Sequence, residues 1–282
     1  MTRLPTSATA PIAALVSSGT RSAPLSFIYA SHSRWPLPPD QSIAHTRGQA
    51  ITISVLDSSF NPPHAAHSQL AQIQEQDAQL LAFTVSNADK KLDRSELYHR
   101  LEMIRALALD MQERQGVNNK PRNIAVAVMD APTFVQKSQV LRDEVTKMVR
   151  EMGDDKAEPE FVFPVGWDTV VRIFAPRYYP PPGPDLSASM ETFLETNRSS
   201  LVCARRGNIP SSTEQEFLTR PEVDKYVKLG KLVMCDLDRA VQAISSTEIR
   251  DAVVADDWDK VHEMIPFPRV VAVIKEHGLY KA

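Results

Sequence analysis

The stretch ITISVLDSSFNPPHAAHSQLAQIQEQ, residues 51–76, decides the fold of this chain. It opens with a continuous apolar run, which is typical of a strand buried on both faces of a parallel sheet. It closes with SQLAQIQEQ, where apolar residues recur at helical spacing. A strand therefore gives way to a helix across DSSFNPPHAAH (57–67), and open α/β sheets bind their ligands at connections of this kind.

The connection itself carries groups suited to an anion. His64 and His67 stand three residues apart at the predicted helix start, behind a turn formed by Ser58, Ser59 and Phe60. Free backbone N–H groups and the helix dipole attract phosphate there, and imidazoles donate hydrogen bonds to phosphate oxygens. Zinc is the less favoured ligand, because no cysteine or further histidine is placed to complete a tetrahedral set. Taken alone, the pattern also fits an ordinary helix start with incidental histidines.

Beyond residue 50 the chain alternates between short apolar runs and longer helical patterns, which predicts an α/β fold with a doubly wound parallel sheet covered by helices on both faces. A proline cluster, RYYPPPGPDLS (177–187), predicts a surface loop. The predicted strands are ITISVLD, LLAFTVS, NIAVAVMD, EFVFPVG, SLVCARR and KLVMCDL, and the predicted helices are SQLAQIQEQ, SELYHRLEMIRALALDMQER, FVQKSQVLRDEVTKMVREMG and TEQEFLTRPEVDKYVKLG.

The first 45 residues have a different composition, rich in Ser, Thr, Ala and Pro, with three arginines and no acidic residue before Asp40. Such a bias suits a mitochondrial transit peptide. We favour a short helix around PIAALVSS, an edge strand around LSFIYAS and a proline-rich linker, because the apolar residues continue through Ile28 and Tyr29. We therefore expect an N-terminal extension over residues 1–48 and one α/β domain over residues 49–282.

Charge and composition narrow the class of partner. With 282 residues, 43% of them hydrophobic, the chain can bury a sizeable core. A formal net charge of −3 gives no basic stripe for nucleic acid or for an anionic membrane, so we expect neither as a partner. Only two cysteines are present, and no apolar run approaches the length of about 18 residues that a membrane span needs. We expect an intracellular protein of the cytoplasm or nucleus, with mitochondrial targeting as the alternative.

A second anion motif lies near the other end of the chain, in AISSTEIRDAV (243–253). Ser245, Ser246 and Thr247 precede an apolar helical pattern, which predicts a helix start. Capping requires one hydroxyl, whereas three occur in a row here, and Arg250 follows within one turn. Hydroxyls, free amides and a guanidinium at one helix start predict a second phosphate site. An ordinary cap with a solvated arginine is the alternative.

Together the two motifs resemble those of the nicotinamide or nicotinate mononucleotide adenylyltransferases, within the superfamily of HxGH-type nucleotidyltransferases. Other blocks agree in family order: KKLDRSELYHRLEM, PVGWD, LVCARRG and the ending IPFPRVVAVIKEHGLY. The resemblance extends from about residue 51 to residue 281. The family turn GSFNP followed by (H/T)xGH is matched by Ser58, Ser59, Phe60, Asn61, Pro62, His64 and His67, and the family motif ISSTxxR is matched by Ile244, Ser245, Ser246, Thr247 and Arg250.

Two family glycines are replaced. Ser58 stands where the glycine before SFNP is expected, and Ala66 stands at the glycine of HxGH. Glycine at such places normally allows a close approach of the backbone to a phosphate. These replacements and the proline-rich insert are similar to a divergent branch of the family, of the sort found in fungi, and they bear on the rate more than on the fold.

The resemblance implies a Rossmann-like nucleotidyltransferase fold with a helical C-terminal part, and adenylyl transfer from ATP to nicotinamide or nicotinate mononucleotide. His64 and His67 would hold ATP phosphates, with His67 nearest the α-phosphate. Lys91, or its neighbour Lys90, would bridge the incoming phosphate and ATP, and Arg250 would neutralise the departing pyrophosphate. Magnesium would be bound by phosphates and water, without a protein metal site. The expected nucleotide-binding residues are Ser58, Ser59, Phe60, Asn61, Gly166, Asp168, Ser245, Ser246 and Thr247.

The acceptor side is less constrained. Trp167 is one candidate for stacking on the pyridine ring, and Tyr178 and Tyr179 at the edge of the proline loop are others, with loop packing as the equal alternative for the tyrosines. Asp168 is a candidate for ribose or pyridine hydrogen bonds and also for a helix N-cap. Arg205, or Arg206, is a candidate phosphate ligand.

Two other functions stay open at this point. One keeps the fold and changes the acceptor, as in pantetheine phosphate adenylylation or cytidylyl transfer. The other is a nucleotide-binding regulator or slow ATP hydrolase.

His99 and Arg100 are interpreted as helix surface or packing, because SELYHRLEMIRALA has clean helical periodicity.

Overall fold

The computed structural model describes residue 4 and residues 10–18, 23–39, 50–85, 94–114, 122–179, 181–205 and 209–281. Seven strands form one sheet in the spatial order β1-β4-β3-β2-β5-β6-β7. The strands are β1 (Leu25–Ala30), β2 (Ala50–Asp57), β3 (Ala78–Thr84), β4 (Ile124–Met129), β5 (Glu158–Gly166), β6 (Ser199–Arg205) and β7 (Leu232–Asp236).

Strands β2 to β7 pair in parallel, and β1 pairs with β4 in the antiparallel direction at the edge of the sheet. Numbered without the edge strand, the order is 3-2-1-4-5-6, which is the doubly wound order of dinucleotide-binding folds. The predicted α/β class and doubly wound parallel sheet are confirmed. The strand order reverses between β2 and β5, so the strand quoted first above is one of the two that border the switch point.

Helices cover both faces of this sheet. They are α1 (Ala10–Ser18), α2 (Ala65–Ala71), α3 (Arg94–Glu113), α4 (Phe134–Glu151), α5 (Trp167–Ile173), α6 (Leu186–Met190), α7 (Ser211–Leu218), α8 (Pro221–Lys228), α9 (Arg239–Gln242), α10 (Ser246–Val254), α11 (Trp258–Met264) and α12 (Pro268–Glu276). A π-helical stretch, Glu191–Thr196, continues from α6. The last three helices make up the expected helical C-terminal part.

Two apolar cores lie on opposite faces of the sheet, and strand β4 contributes to both. Ala125, Ala127 and Met129 belong to the core that also contains residues of α4, α5, α7 and α8. Ile124, Val126 and Val128 belong to the core that contains residues of α1, α3, α10, α11 and α12. This alternation explains why NIAVAVM reads as apolar throughout: successive side chains point to opposite faces and both faces are covered.

The N-terminal segment is packed in its described part. Residues 10–18 form α1 and Ile12 is fully buried, while β1 completes the edge of the sheet next to β4. The interpretation of this segment as a helix followed by an edge strand is confirmed. The domain boundary at residue 48 stays a prediction.

Two helix predictions were wrong in extent. TEQEFLTRPEVDKYVKLG forms two helices, α7 and α8, because Pro221 lacks an N–H donor and occupies the first turn of a new helix. The helix predicted from SQLAQIQEQ starts three residues earlier, at Ala65, and ends at Ala71. In its described residues, the proline cluster contains only the end of a short 3₁₀ turn, Pro176–Tyr178, and the first residues of α6, which agrees with the predicted loop there. In the part of the chain that the structure describes, no helix combines the length and apolar character required to cross a membrane.

Candidate functional site

The turn motif of residues 58–67 and the block of residues 166–168 meet at the switch point of the sheet. Strand β2 ends at Asp57 and leads through residues 58–64 into α2, and β5 beside it ends at Gly166 and leads directly into α5. Carboxyl ends of parallel strands at a reversal of strand order leave a crevice between the outgoing connections. The tertiary fold therefore brings Ser58–His67 and the Gly166–Asp168 block to one edge of the sheet.

His67 is held from both sides of its ring. The backbone N–H of His64 donates to His67 Nδ1 at 3.2 Å, so Nδ1 is an acceptor and the ring proton of the neutral imidazole resides on Nε2. That Nε2–H donates to the hydroxyl of Ser58 at 3.0 Å. The ring of Phe60 lies beside it, with centroids 5.0 Å apart. His67 is thus fixed in orientation and in tautomer.

His64 and His67 lie close together, as the sequence spacing predicts. Helix α2 begins at Ala65 with His64 as its N-cap residue, and the two ring centroids are 3.9 Å apart. Both residues are buried, at 3% and 8% exposure. Phe60, which precedes them in the turn, is fully buried and has a positive φ of 44°, a conformation uncommon for a residue with a Cβ.

Helix α10 forms direct contacts with this turn. Ser246 Oγ donates to the carbonyl of Pro62 at 3.0 Å, and Arg250 Nη1 donates to the carbonyl of Asn61 at 2.8 Å. Ser245 caps α10, accepting from the backbone N–H of Glu248 at 3.2 Å. We call the turn and helix start (residues 58–67) together with residues 245–250 the clamp. About 180 residues of sequence separate its halves, and the fold places them in hydrogen-bond contact.

Arg250 carries a positive charge that the described structure leaves uncompensated. Its guanidinium donates to a backbone carbonyl and, from Nη2, to Thr247 Oγ1 at 3.1 Å. Among the described residues, no carboxylate lies within ion-pair distance of it. The clamp therefore combines two imidazoles, several hydroxyls and one unbalanced cation, which is a donor set for a polyanion.

Two residues to which the sequence assigned no role in the site support the turn. Tyr280 donates its hydroxyl to Asn61 Oδ1 at 2.8 Å, and burial raises the pKa of Tyr280, so the donor keeps its proton. Arg100, interpreted above as surface or packing, is buried and donates to the carbonyl of Ser59 at 3.4 Å. For Tyr280, the only sequence signal was its position in the terminal HGLY block.

A buried ion pair at the base of the clamp was also missed. Lys137 of α4 pairs with Asp57, the last residue of β2, and Thr84 at the end of β3 donates to the same carboxylate at 2.8 Å. The ammonium also lies over the ring of Phe134, 4.6 Å from its centroid. Lys137 is 5% exposed, so this charge is compensated almost without solvent. The sequence did not indicate this ion pair, because Lys137 fits the regular amphipathic pattern of α4.

The Gly166 block lies at the switch point, with its side chains in different environments. Gly166 is the N-cap of α5, so the prediction of Asp168 as the N-cap is wrong: Asp168 lies in the first turn with its side chain exposed. Trp167 is half-buried, and its ring contacts that of Phe217 edge-on at 5.2 Å. The N-cap was misplaced because Gly166 already has extended backbone angles, and the helix begins two residues earlier than an N-cap at Asp168 would require.

The two tyrosines of the proline loop differ. Tyr179 donates its hydroxyl to the carbonyl of Ile173 at 2.7 Å and packs against a core, and burial raises its pKa to about 12. Tyr178 is 47% exposed and lies under the guanidinium of Arg177, 5.1 Å from the ring centroid. Loop packing, one of the two interpretations above, accounts for Tyr179.

Arg205 is engaged by carboxylates. Its Nε and Nη2 donate to the two carboxylate oxygens of Glu214 at 2.8 and 2.7 Å, and Nη1 faces Asp236 at 3.4 Å. These hydrogen bonds raise the pKa of Arg205 and lower that of Glu214. The other candidates, Lys90, Lys91 and Arg206, lie outside the described residues.

The structure shows what the two residues that replace family glycines contact. Ser58 supplies the hydroxyl that accepts from His67, a contact that glycine cannot make. Ala66 is 1% exposed within the first turn of α2, so its methyl group is packed into the protein. Neither substitution opens the clamp; one of them adds a hydrogen bond to it.

Comparison with known proteins agrees with these motifs. No profile of a known protein family matches the chain. A protein of Schizosaccharomyces pombe named "Putative nicotinamide mononucleotide adenylyltransferase" is 26% identical over 234 residues, covering 79% of this chain and 84% of that protein. A protein of Desulfotalea psychrophila named "Probable nicotinate-nucleotide adenylyltransferase" is 27% identical over 237 residues, covering 81% and 99%.

A solved structure of Plasmodium falciparum nicotinic acid mononucleotide adenylyltransferase, complexed with APC, covers 82% of this chain and 97% of its own, at 17% identity and a TM-score of 0.47. Over about four fifths of its length, the chain is therefore similar in sequence to two proteins named as adenylyltransferases of nicotinamide or nicotinate mononucleotides.

Proposed function

We propose that this protein transfers the adenylyl group of ATP to nicotinamide mononucleotide or nicotinate mononucleotide, forming a dinucleotide and pyrophosphate. The observation that carries the proposal is the contact between the two halves of the clamp at the switch point of the sheet. The names of the two relatives support the acceptor class, because both are named for a pyridine mononucleotide.

The reaction requires no nucleophile from the protein. An oxygen of the mononucleotide's 5′-phosphate attacks the α-phosphorus of ATP, and the bond from that phosphorus to the oxygen bridging toward the β-phosphorus breaks. Pyrophosphate leaves with the bonding electron pair. Since the attacking group is already an anion, catalysis consists of positioning the two phosphates in line and stabilising the charge that spreads over them.

The clamp residues divide this work. The Nε2–H of His67, whose tautomer is set by the His64 backbone, donates to Ser58 and would be shared with an α-phosphate oxygen, where negative charge grows. His64 donates to neighbouring phosphate oxygens. Ser245, Ser246 and Thr247 hold the β- and γ-phosphates, and Arg250 neutralises pyrophosphate as it departs. Lys91, outside the described residues, is proposed to bridge the incoming phosphate and ATP.

Magnesium fits this site as an ion that arrives with ATP. Of the described carboxylates, Asp57 at the end of β2 is paired with Lys137, Glu248 of α10 is paired with Lys260 at 2.9 Å, and Asp168 is exposed. Mg²⁺ commonly binds through substrate phosphates and water, with few protein ligands. When bound, it would neutralise phosphate charge, and the residues present would leave its coordination to the nucleotide.

On the acceptor side we propose Gly166, Trp167 and Asp168 as the block that meets a nucleoside. Asp168 is exposed, so its carboxylate is available to accept hydrogen bonds from a ribose. Trp167 and Tyr178 are the remaining candidates for the pyridine ring, because the hydroxyl of Tyr179 is bound to a backbone carbonyl. Arg205, the candidate phosphate ligand, is bound by two carboxylates instead. The free cysteines Cys203 and Cys235 favour a reducing compartment, so we propose an intracellular location, in the cytoplasm or nucleus.

The test incubates the purified full chain with ATP, Mg²⁺ and either mononucleotide, and separates the nucleotides by chromatography. We expect dinucleotide and pyrophosphate in equal amounts. A double variant, His64→Ala with His67→Ala, should lose the product, while His262→Ala, which changes an exposed histidine of α11, should retain it. Formation of ADP without dinucleotide, or product only with pantetheine phosphate or an alcohol phosphate as the acceptor, would contradict the proposal.

A further inference from the structure

A second cluster of metal-ligating side chains lies outside the clamp, between α3 and the end of α12. His99 and Glu102 stand one turn apart on α3, and His277 is the C-cap residue of α12. Each offers one ligand atom, and these atoms all lie within 4.8 Å of one another. Glu102 Oε2 and His277 Nε2 are 3.0 Å apart, and the rings of His99 and His277 have centroids 4.6 Å apart.

The donor set points to a particular class of ion. Two imidazoles and one carboxylate are the protein ligands of many open zinc sites, in which water takes the fourth tetrahedral position. Magnesium and calcium prefer sets of oxygen ligands, so they do not fit two nitrogens and one oxygen. Ligands about 2.1 Å from a tetrahedral ion lie about 3.4 Å from each other, so ligand atoms within 4.8 Å of one another would have to approach by side-chain rotation.

Groups around the cluster orient its ligands. The hydroxyl of Tyr98 donates to Glu102 Oε1 at 3.1 Å, which leaves the second oxygen, Oε2, directed at His277. The hydroxyl of Ser95 lies 3.3 Å from His99 Nε2. Such outer partners fix the orientation of metal ligands and are a regular feature of protein metal sites.

We propose that this cluster binds one divalent transition-metal ion of the Zn²⁺ class, and that the ion joins the C-terminal end of α12 to α3. At the other end of α12, Arg269 already pairs with Asp110 of α3 at 2.7 Å. The metal would be the matching attachment at the second end. It replaces a weak contact between one carboxylate and one imidazole by bonds to three side chains.

The site has a consequence for the clamp. His277 precedes by three residues Tyr280, whose hydroxyl contacts Asn61, and His99 is adjacent to Arg100, whose guanidinium contacts Ser59. Both supports of the turn therefore emerge next to metal ligands. A bound ion would hold the segment that carries Tyr280 against α3. This inference does not rest on the proposed reaction, and its test needs no activity.

The experiment titrates chelator-treated full chain with ZnCl₂ by calorimetry, and with CoCl₂ while following the visible absorption of cobalt. We expect the unaltered chain to bind one ion saturably. The affinity of this site should fall by more than about 100-fold in Glu102→Gln and in His277→Ala, and by about 10-fold in Tyr98→Phe. Melting temperatures measured with chelator present check that each variant is folded. Zinc should raise the melting temperature of the unaltered chain and fail to raise that of Glu102→Gln.

Two controls decide between sites. His262→Ala should bind as the unaltered chain does. His67→Ala tests the histidine pair of the clamp and should also retain the ion bound at His277. Absence of saturable binding, or binding that survives in both Glu102→Gln and His277→Ala, or binding lost only in His67→Ala, would overturn the proposal.

Discussion

Arg250 and Arg205 have the same side chain but lie in two different electrostatic environments. In the clamp, Arg250 contacts a carbonyl and a hydroxyl, so its charge has no described counter-ion. At the end of β6, Arg205 is bound by Glu214 in a bidentate ion pair and faces Asp236 as well. An arginine surrounded by neutral acceptors is available to an anionic ligand, whereas one bound by carboxylates stabilises the fold. The sequence did not fully distinguish the two arginines, because Arg205 ends a predicted strand and Arg250 follows a predicted helix start. Both were therefore candidate phosphate ligands.

The largest effect is expected at the base of the clamp. Lys137→Met leaves the carboxylate of Asp57 buried without its partner, and removing one member of a buried ion pair costs about 3–5 kcal/mol of unfolding free energy. Chemical denaturation measures it. A double variant, Asp57→Leu with Lys137→Met, should recover most of the loss. If Lys137→Met is as stable as the unaltered chain, the pair contributes nothing and the base of the clamp is not held by it.

His67→Ala should lower the rate of dinucleotide formation by about 10²–10³-fold, the usual loss when one donor to a developing oxyanion is removed. Steady-state kinetics with saturating ATP and mononucleotide measures the change, with circular dichroism as the check on folding. A folded variant that keeps its full rate would exclude His67 from the chemistry.

The two arginines offer a matched pair of variants. Arg250→Gln should reduce kcat/KM for ATP by about 10- to 100-fold, since hydrogen bonds to charged groups contribute about 1.5–3 kcal/mol. Arg205→Gln should change it by less than about 3-fold and lower stability by about 1 kcal/mol, because a half-exposed ion pair is worth little. The reverse ranking of the two variants would place the phosphate site beside β6 instead of at the clamp.

Ser58→Gly restores the glycine that the family motif carries and removes the hydroxyl that accepts from His67. We expect kcat to fall by about 5-fold, in line with about 1 kcal/mol for one hydrogen bond. Ser58→Ala separates the two causes: an equal loss in both variants indicates the hydroxyl, and a loss in Ser58→Ala alone indicates a need for backbone freedom. A faster Ser58→Gly variant would mean that the serine hinders the nucleotide.

Tyr179 gives the smallest effect and a test by pH. Its pKa is raised from 10.0 to about 12 by burial, so the folded state retains a proton that the unfolded state loses in that window. The contribution to stability is complete below pH 10 and is lost as the pH rises toward 12. Denaturation curves of Tyr179→Phe should show a shallower decline between pH 10 and 12 than those of the unaltered chain. Near pH 7 the variant should lose about 1 kcal/mol, the value of its hydrogen bond to Ile173. Identical slopes above pH 10 would mean that Tyr179 is not buried in solution.

Much of the fold could be predicted from the sequence, because the spacing of apolar residues reflects both the type of element and the faces that it buries. β4 reads as an uninterrupted apolar run since both of its faces are covered, and the order of strands and helices predicts a doubly wound sheet. The same reasoning missed the division between α7 and α8, where a single proline outweighs a continuous helical pattern. It also missed Lys137, because a buried lysine on an amphipathic helix has the same spacing as an exposed one.

The sequence by itself determined the doubly wound class, the two phosphate-type motifs and their relation to the pyridine nucleotide adenylyltransferases. These features are local: a strand, a turn, a helix start and the order of residues within each. Only the tertiary structure decided which polar groups have partners. It placed Arg250 against the turn and Arg205 against Glu214, gave Ser58 to His67, and gathered His99, Glu102 and His277 from two helices. The physical reason is that charge compensation and metal coordination depend on distances between residues far apart in the chain, which spacing along one strand or helix does not encode.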